Sequence, residues 1–338
     1  MMNDKVLVTG GAGFIGSHLA RALLAEGHAV TILDDLSMGK EENIPVGASF
    51  IQGDVRSQED VRRAILGAGI VFHEAARVSI RASVKEFYED ADTNFMGTLN
   101  LLKCCSKSDV RKFVFASSMA VYADSASPNP IAEDYTTEPI SPYGIAKLAA
   151  EKYCMQLTSE MGIGCHILRY FNTYGPGQTY TPYVGVITIF IRQLLQGQSP
   201  RVFGDGEQRR DFVHVSDIIA ANLLSMKSPL ARGIFNVGTG KATSVNDIAS
   251  LLCRRIDPQC QPCHADAHPG ELRNSIADIR SISAALGYRP AAALPEKIGE
   301  VIEFYRKGTG NRGKQVEEPP ERDRSPIPAS SGSGNRRP

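Results

Sequence analysis

The fold is decided by Thr9-Gly10-Gly11-Ala12-Gly13-Phe14-Ile15-Gly16, which lies between an apolar run at 5–9 and an amphipathic stretch of helical length at 16–26. Its glycines satisfy G-x-G-x-x-G, with a predicted strand before them and a predicted helix after them. Glycines let a backbone approach a pyrophosphate, and a helix N-terminus favours negative charge. The stretch therefore predicts a dinucleotide site rather than a tight turn without a ligand. The predicted contacts are Gly10, Gly13, Phe14, Ile15 and Gly16.

An acidic residue follows at the expected distance. Asp34 ends the second predicted strand, 18 residues beyond Gly16, close to the roughly 20 residues typical of dinucleotide-binding units. A carboxylate there accepts hydrogen bonds from the adenosine ribose hydroxyls and repels a 2′-phosphate. Asp35 adds to this repulsion. The pair favours NAD over NADP.

The chain up to residue 171 alternates short β-branched runs with amphipathic stretches. Such alternation predicts a parallel sheet with helices on both faces, and right-handed crossovers make it a doubly wound α/β fold of the Rossmann type. Strands are predicted at 5–9, 29–33, 49–52, 70–73, 112–116 and 165–168. Helices are predicted at 16–26, 58–68, 91–107 and 143–161.

The pattern changes in the second half, where glycine and proline become frequent. We expect residues 1–171 to form the NAD-binding domain, with later strands interleaved, and residues 172–307 to form mainly a smaller substrate-binding lobe. The expected helices of this lobe lie at 187–195, 215–226 and 245–256. The tail at 308–338 is rich in Gly, Pro, Ser and charge, and is predicted to be disordered because it has little apolar surface to bury.

Composition narrows the class of protein. Lys+Arg and Asp+Glu balance at 37 each in 338 residues, so net charge indicates no nucleic-acid partner. We find no apolar run near the roughly 20 residues that span a bilayer, and no signal-peptide layout. The seven cysteines are scattered and odd in number. Reduced thiols and a cytoplasmic location are the expectation.

Tyr143 and Lys147 lie four residues apart, and Ser118 follows a predicted strand upstream. Positions i and i+4 share a helix face, so the phenol and the ammonium group point the same way. A positive charge beside a phenol stabilises the phenolate and lowers the tyrosine pKa from about 10. We therefore expect Tyr143 to act as a base near neutral pH, with the Ser118 hydroxyl passing the proton.

These features resemble the extended short-chain dehydrogenase/reductase superfamily, and within it the NAD-dependent epimerase/dehydratase family. They are most similar to sugar-nucleotide epimerases of the UDP-glucose 4-epimerase type, over about residues 4–306. The other motifs that carry the resemblance are Gly53-Asp54-Val55-Arg56, His73-Glu74-Ala75-Ala76, Asn94-x-x-Gly97-Thr98, Val121-Tyr122, Arg169-Tyr170-Phe171-Asn172, Tyr174-Gly175-Pro176, Gly204-Asp205-Gly206, Arg210-Asp211-Phe212 and Phe235-Asn236-Val237-Gly238.

The resemblance implies NAD as the cofactor and assigns roles to the matching residues. Asp54 would hydrogen-bond the adenine amino group, with Val55 beside it. The cofactor cleft would be lined by Ala75, Ala76, Asn94 and Phe171. Tyr143 would be the catalytic base, Lys147 its partner and ribose ligand, and Ser118 the proton relay and a substrate contact.

A UDP-sugar or another NDP-sugar is the implied substrate. Asn172 would contact its diphosphate, and Val202 is a further implied contact. Arg210 and Arg273 would clamp the phosphates. A guanidinium group is suited to this because it can form two parallel hydrogen bonds and is permanently charged. The competing interpretation of either arginine is a weak surface ion pair. The family also implies a homodimer formed through the helices at 91–107 and 143–161.

Four activities share this scaffold: 4-epimerisation, 4,6-dehydration, C6 decarboxylation and 4-keto reduction. In the family, dehydratases carry acids directly after the serine and decarboxylases a glutamate before the Val-Tyr pair, where this chain has Met119 and Ala120. A reductase usually prefers NADPH, which Asp34 disfavours. We predict an NAD-dependent 4-epimerase of a UDP-hexose, acting through a transient 4-keto sugar. An NDP-sugar 4,6-dehydratase, a UDP-glucuronate decarboxylase and a catalytically silent NAD-binding scaffold stay open.

Two further stretches bear on specificity and metals. Residues 178–186 line the sugar pocket in the family and vary with substrate, so the identity of the sugar stays open. Cys260, Cys263, His264 and His268 offer four zinc-type ligands but are crowded into nine residues. They lack the second Cys-x-x-Cys pair of many structural zinc sites. No metal is predicted.

Overall fold

The structure, a computed structural model, describes residues 4–125, 127–180, 185–267 and 273–309. The last helix runs to Thr309 and so includes the first two residues of the predicted tail. The remainder of the predicted disordered tail, 310–338, lies outside the described residues.

Strands and helices alternate along the first half, as predicted. The strands are β1 (Lys5–Thr9), β2 (Ala29–Asp34), β3 (Ser49–Gln52), β4 (Ile70–His73), β5 (Lys112–Ser118), β6 (Gly164–Tyr170), β7 (Asn172–Tyr174), β8 (Arg201–Phe203), β9 (Arg209–Arg210), β10 (Phe212–His214), β11 (Arg232–Val237), β12 (Thr243–Ser244), β13 (Cys263–Ala265) and β14 (Asn274–Ser275). The helices are α1 (Phe14–Ala25), α2 (Gln58–Ile65), α3 (Ile80–Lys85), α4 (Phe87–Ala91), α5 (Gly97–Cys105), α6 (Pro142–Glu160), α7 (Val186–Leu195), α8 (Val215–Lys227), α9 (Val245–Ile256), α10 (Arg280–Leu286) and α11 (Leu294–Thr309).

One parallel sheet organises the molecule. In the described part of the chain it has seven strands in the order β11-β6-β5-β4-β1-β2-β3, and each neighbouring pair runs parallel. Because its strands are covered on both faces, they read as nearly continuous apolar runs. Val6 and Val8 face the core under α1, α8 and α10. Leu7 faces the core under α2, α5 and α6. The predicted doubly wound α/β fold is confirmed.

The strand order places a switch point between β1 and β4. From β1 the chain moves outward through β2 and β3, and then returns to add β4, β5 and β6 on the other side of β1. In open α/β sheets, ligands bind outside the carboxyl ends of the strands at such a point. The glycine-rich loop leaves β1 there, and residues 74–76 leave β4 beside it.

The second half forms a smaller cluster. Helices α7, α9 and α11 share an apolar core with β8 and β10. Short pairings join β7 to β10, β8 to β13, and β9 to both β12 and β14. The helices predicted at 187–195, 215–226 and 245–256 agree with α7, α8 and α9 to within one residue.

One predicted helix is more complex than expected. The helix predicted at 91–107 is instead the end of α4, a π-helical turn at Asp92–Met96 and then α5. Asn94, inside this turn, hydrogen-bonds the backbone of Arg77 through both ends of its amide group and also donates to the Asp90 carboxyl group. The wider turn is typical of functional sites.

Candidate active site

The glycine-rich loop is held by close backbone approaches. Gly10 has φ +69°, and a Cβ on it would lie 2.7 Å from the backbone nitrogen of Ala75. A Cβ on Gly16 would lie 2.2 Å from the carbonyl oxygen of Gly10. Helix α1 begins after Gly13, and no side chain caps it in the described residues. The first amides of α1 are thus presented to an anion such as a pyrophosphate.

Asp34 closes the loop from the neighbouring strand. Its Oδ2 accepts the amide of Ala12 at 2.9 Å, and its Oδ1 accepts the amide of Leu36 at 2.9 Å. Burial raises the pKa of this carboxyl group, against the lowering effect of the two amides. A carboxylate offers about four acceptor sites, so acceptor capacity is left for ribose hydroxyls. Asp35 lies further out and accepts from Ser37.

The far side of the loop is fixed by a buried polar chain. The Thr9 hydroxyl and the Thr98 hydroxyl contact the two ring nitrogens of His73, at 2.7 and 2.9 Å. Burial lowers the pKa of His73 to about 3, so the ring is neutral at physiological pH. His73 is a structural bridge from β1 to α5.

Two predicted cofactor contacts have protein partners. Asn94 accepts the amide of Arg77 and donates to its carbonyl oxygen, both at 2.9 Å, which fixes the segment after Ala75 and Ala76. Asp54 forms a salt bridge with Arg56. Partial burial favours a higher pKa for Asp54, but Arg56 lowers it below its ordinary value. The predicted adenine contact of Asp54, with Val55 beside it, stays a prediction.

Helix α6 and strand β5 bring the catalytic candidates together. Ser141 caps α6, and Pro142 occupies its first turn. Tyr143 and Lys147 are 7% and 2% exposed, and Ser118, at the end of β5, hydrogen-bonds Tyr143. The Lys147 ammonium donates to the carbonyl oxygen of Ala116 at 2.9 Å. The predicted trio is assembled.

The expected lowering of the Tyr143 pKa is wrong for this structure. Burial raises it to about 12, the Ser118 hydrogen bond lowers it, and the charge of Asp90 raises it. Burial also lowers the pKa of Lys147 to about 8. Tyr143 and Lys147 lie one turn apart on α6, as predicted from their spacing. Desolvation nevertheless determines the direction of both pKa shifts, because both side chains lie inside the protein.

Four of the predicted substrate residues lie on or next to short strands of the second half: Asn172 in β7, Val202 in β8, Arg210 in β9 and Arg273 just before β14. The Asn172 amide group contacts the carbonyl oxygen of Asp211 at 3.4 Å, and Phe171 is 3% exposed. Arg210 contacts the carbonyl oxygen of Arg209 at 2.9 Å. Val202 is fully buried in the core of the smaller lobe.

Arg273 forms a bidentate pair with Asp205 at 2.7 and 2.9 Å. Both side chains are more than half exposed, so the pair is weak. Arg209 and Arg273 are joined by a backbone hydrogen bond, which keeps Arg210 and Arg273 close in the fold. A shared phosphate-binding role for these two arginines stays a prediction.

The comparison with known proteins decides the family. The pattern that defines the NAD dependent epimerase/dehydratase family matches residues 6–238. This chain belongs to that family. It is 39% identical to a putative UDP-glucose 4-epimerase of Methanocaldococcus jannaschii, over 89% of this chain and 98% of that protein. It is 31% identical to a UDP-N-acetyl-alpha-D-glucosaminuronate decarboxylase of Bacillus cytotoxicus, over 90% of this chain and 99% of that protein.

Solved epimerases share the fold of this family member. The Thermotoga maritima UDP-glucose 4-epimerase, solved with UDP-glucose, superposes with a TM-score of 0.86 at 38% identity, covering 90% of this chain and 99% of that one. The Thermus thermophilus UDP-glucose 4-epimerase, solved with NAD, superposes with a TM-score of 0.83 at 35% identity, covering 89% of this chain and 99% of that one. NAD is the cofactor of the present epimerase/dehydratase family member. The glycine loop, the amides of α1 and the free acceptor sites of Asp34 fit it.

Sequence reasoning missed one titratable group with a shifted pKa in this family member. Glu74 follows β4 at the switch point and accepts the Tyr170 hydroxyl at 2.9 Å, which in turn accepts from Asn222 at 2.7 Å. Burial raises the pKa of Glu74 to about 7, while Tyr170 and Lys147 lower it. Its signal in the sequence is an acidic residue directly after the buried strand that ends at His73.

The described part of the Cys260–His268 stretch makes hydrogen bonds within the protein. His264 contacts the carbonyl oxygen of Gly204 at 2.8 Å, and Cys260 contacts Ser199. Within the described ranges no group of three or more His, Cys, Asp or Glu residues is placed to hold a metal; His268 lies outside them. All seven cysteines carry free thiols. Among the described helices, none combines the length and apolar character needed to cross a membrane.

Proposed function

We infer that this protein is an NAD-dependent epimerase that inverts C4 of a nucleoside-diphosphate hexose, a UDP-hexose in our proposal, through a transient 4-keto sugar. The observation that carries the inference is the trio of buried Tyr143, buried Lys147 and partly exposed Ser118. Apolar residues follow Ser118 at the next two positions. Its relatives include enzymes named UDP-glucose 4-epimerase.

The chain's own residues supply the acid–base chemistry. Tyr143, as phenolate, accepts the proton of the C4 hydroxyl, and Ser118 is placed to pass it because the two side chains are hydrogen-bonded. Bound NAD⁺ supplies the hydride acceptor and later the hydride donor. When the sugar presents its other face, Tyr143 returns the proton to the C4 oxygen. Lys147 holds positive charge near the phenol throughout.

The neighbouring residues support an outcome limited to C4. Met119 and Ala120 form a 3₁₀ turn directly after Ser118. Ala120 is 8% exposed, and Met119 packs against the apolar cluster that contains Val121 and Phe171. Neither side chain can transfer a proton. A dehydratase or decarboxylase would need an acid or base from elsewhere to act at C5 or C6.

The substrate diphosphate is the proposed ligand of Asn172, Arg210 and Arg273. Clamping by Arg273 requires its pair with Asp205 to open, and this costs little because the pair is exposed. A held diphosphate leaves the hexose free to turn, which epimerisation requires. The base and the sugar are proposed here as uracil and an unmodified hexose.

A homodimer is part of the proposal. Of the fourteen large apolar side chains that are exposed in the described residues, nine lie in 78–96 or 140–153. The helices that carry them pack on one another, since α6 contacts α3, α4 and the π turn. An apolar surface of this kind favours association with a second copy. Free cysteine thiols support a cytoplasmic setting.

One assay tests the function. Purified protein is incubated with NAD⁺ and separately with UDP-glucose, UDP-galactose, their N-acetyl forms and the two uronates, and the products are followed by proton NMR. We expect inversion at C4 and no loss of water or CO₂. Loss of CO₂ from a uronate would favour the decarboxylase. NAD binding without any turnover would favour the silent scaffold.

A further inference from the structure

Three successive turns of α6 hold the end of strand β5. Tyr143 is hydrogen-bonded to Ser118, and Lys147 donates to the carbonyl oxygen of Ala116. One turn further on, Glu151 accepts the hydroxyl of Ser117. The three helix residues follow the spacing i, i+4, i+8, so they lie along one side of the helix. Residues 116, 117 and 118 are therefore each held by the same helix.

Glu151 is also one half of a buried ion pair. It is 1% exposed and Arg169, on β6, is 3% exposed. Arg169 donates from Nε to Oε1 of Glu151 at 2.9 Å and from Nη2 to Oε2 at 2.7 Å. Ser117 and Arg169 are direct partners in the β5–β6 ladder. One carboxylate thus joins the helix to two adjacent strands.

The other end of Arg169 reaches the segment beyond Ser118. Its Nη1 donates to the hydroxyl of Tyr122 at 2.9 Å and to the carbonyl oxygen of Glu133 at 3.1 Å. Tyr122 donates to Asn236, on β11, at 2.6 Å. The network therefore fixes both sides of the proton-relay serine, and each side is anchored to the central sheet.

Stability alone does not account for such a pair. Burying two charges costs desolvation free energy that their attraction only partly returns, and apolar replacements of similar volume are often as stable. Directional, bidentate bonds instead fix relative position. Proton transfer needs that precision, since displacements of about 1 Å can cost roughly a hundredfold in rate.

We propose that Glu151 and Arg169 are positioning residues that lock the helix bearing Tyr143 and Lys147 to the strand end bearing Ser118. This inference rests on the proposed epimerase function. Without the lock, α6 can slide on its apolar contacts, and the phenol and the serine hydroxyl lose their alignment. The pair would thus control the rate of the chemical step rather than sugar binding.

The test uses a double variant, Glu151→Met/Arg169→Met. Removing only one partner would leave an uncompensated buried charge and strong destabilisation, whereas the double variant removes both charges and keeps the volume. The matched control is Glu160→Gln, which changes an exposed glutamate at the end of the same helix that accepts a hydrogen bond from Gln156 one turn earlier. All proteins are assayed as NAD-loaded full chains.

Three readouts separate positioning from simple loss of folded enzyme. The double variant should lose roughly tenfold to a hundredfold in kcat with KM within about threefold. Burial lowers the pKa of Lys147, and Glu74, Cys154, Asp90 and Glu151 raise it, in that order. The double variant loses the last of these contributions, so its pH–rate profile should bend at slightly lower pH, whereas a smaller folded fraction would leave the profile's shape unchanged. Amide hydrogen exchange in residues 116–120 should become roughly tenfold faster, as a loosened segment requires.

The outcomes are distinct from those of the function test. Exchange at the wild-type rate, or faster exchange with wild-type kcat and an unmoved pH profile, overturns the positioning role. If the wild-type protein turned over no sugar nucleotide, the proposed function would fail, and exchange alone would decide: faster exchange supports the lock and unchanged exchange overturns it.

Discussion

Lys147 donates its ammonium proton to the carbonyl oxygen of Ala116 at 2.9 Å, two residues before Ser118. The ammonium also lies 4.8 Å from the centre of the Phe115 ring, where a cation is attracted to the aromatic face. The lysine therefore holds the strand end with its charged group. The phenol one turn earlier, Tyr143, instead interacts with the Ser118 side chain, which lowers the Tyr143 pKa against the effect of burial.

Removal of the Tyr143 hydroxyl should abolish epimerisation but leave the fold intact. In Tyr143→Phe, kcat should fall by roughly a hundredfold to ten-thousandfold, the contribution usual for a general base. The affinity for NAD should change little, as measured by equilibrium binding. The control is Tyr153→Phe, a 46% exposed tyrosine on the same helix, which should keep full activity. Equal activity of the two variants would contradict the assignment of the base.

The pH dependence of kcat/KM should show Lys147. The phenolate of Tyr143 is the active form, and with a pKa of about 12 its fraction rises tenfold per pH unit. The required charge on Lys147 is lost above a pKa of about 8. The rate should therefore climb up to about pH 8 and then level off. In Lys147→Met the overall rate should be lower and the bend near pH 8 should be absent. Lys152→Met, which changes an exposed side chain, should keep the bend. A flat profile from pH 6 to 8 would contradict this.

The sequence predicted most of the cofactor side because that side depends on local chemistry. A strand, a glycine loop and an acid at the next strand end leave few backbone solutions, so Gly10, Gly16 and Asp34 could be placed in advance. The doubly wound arrangement followed from alternation and handedness. The trio could be named because Tyr143 and Lys147 lie on one helix.

What the sequence could not give depends on burial across the fold. Spacing shows that a lysine lies beside a phenol, but not that both are desolvated, so the direction of the Tyr143 pKa shift was wrong. Glu74 and Tyr170 are 96 residues apart, and Glu151 and Arg169 meet only when α6 packs on β6. The partners of Arg210 and Arg273 likewise depend on how short strands of the smaller lobe pair.

Glu74 should make stability fall as pH rises. Its pKa is about 7 in the folded protein and 4.5 in the unfolded chain. Between these values the folded protein holds a proton that the unfolded chain has released, so the free energy of unfolding decreases with rising pH through this window. Glu74→Gln keeps the acceptor for Tyr170 but cannot ionise. The free energy of unfolding of this variant should equal that of wild type near pH 4.5 and should be higher than that of wild type at pH 8 by up to about 3 kcal/mol.

Urea unfolding at pH 4.5 and pH 8 measures this difference. Glu42→Gln is the control, because Glu42 is exposed and forms a surface ion pair with Lys40. The free energy of unfolding of this control should differ little from that of wild type at both pH values. Parallel curves for wild type and Glu74→Gln across the range would show that Glu74 titrates as an ordinary carboxyl group. If the difference in free energy of unfolding increased less than expected between pH 4.5 and pH 8, Lys147 would compensate the charge of the Glu74 carboxylate more fully.

The apolar face on α3, α4 and α6 should hold two copies together. Val84 and Phe87 are each 61% exposed, and a single chain has no reason to expose so many neighbouring apolar groups. Val84→Glu/Phe87→Glu places two charges on the face without disturbing buried contacts. Because each charge would have to be desolvated on association, the variant should elute as a monomer, with light scattering giving half the wild-type mass. Leu66→Glu alters a side chain of similar exposure (66%) away from this face and should leave the dimer intact. If the wild-type protein were monomeric at micromolar concentration, there would be no such interface. If the variant stayed dimeric, the interface would lie elsewhere on the surface.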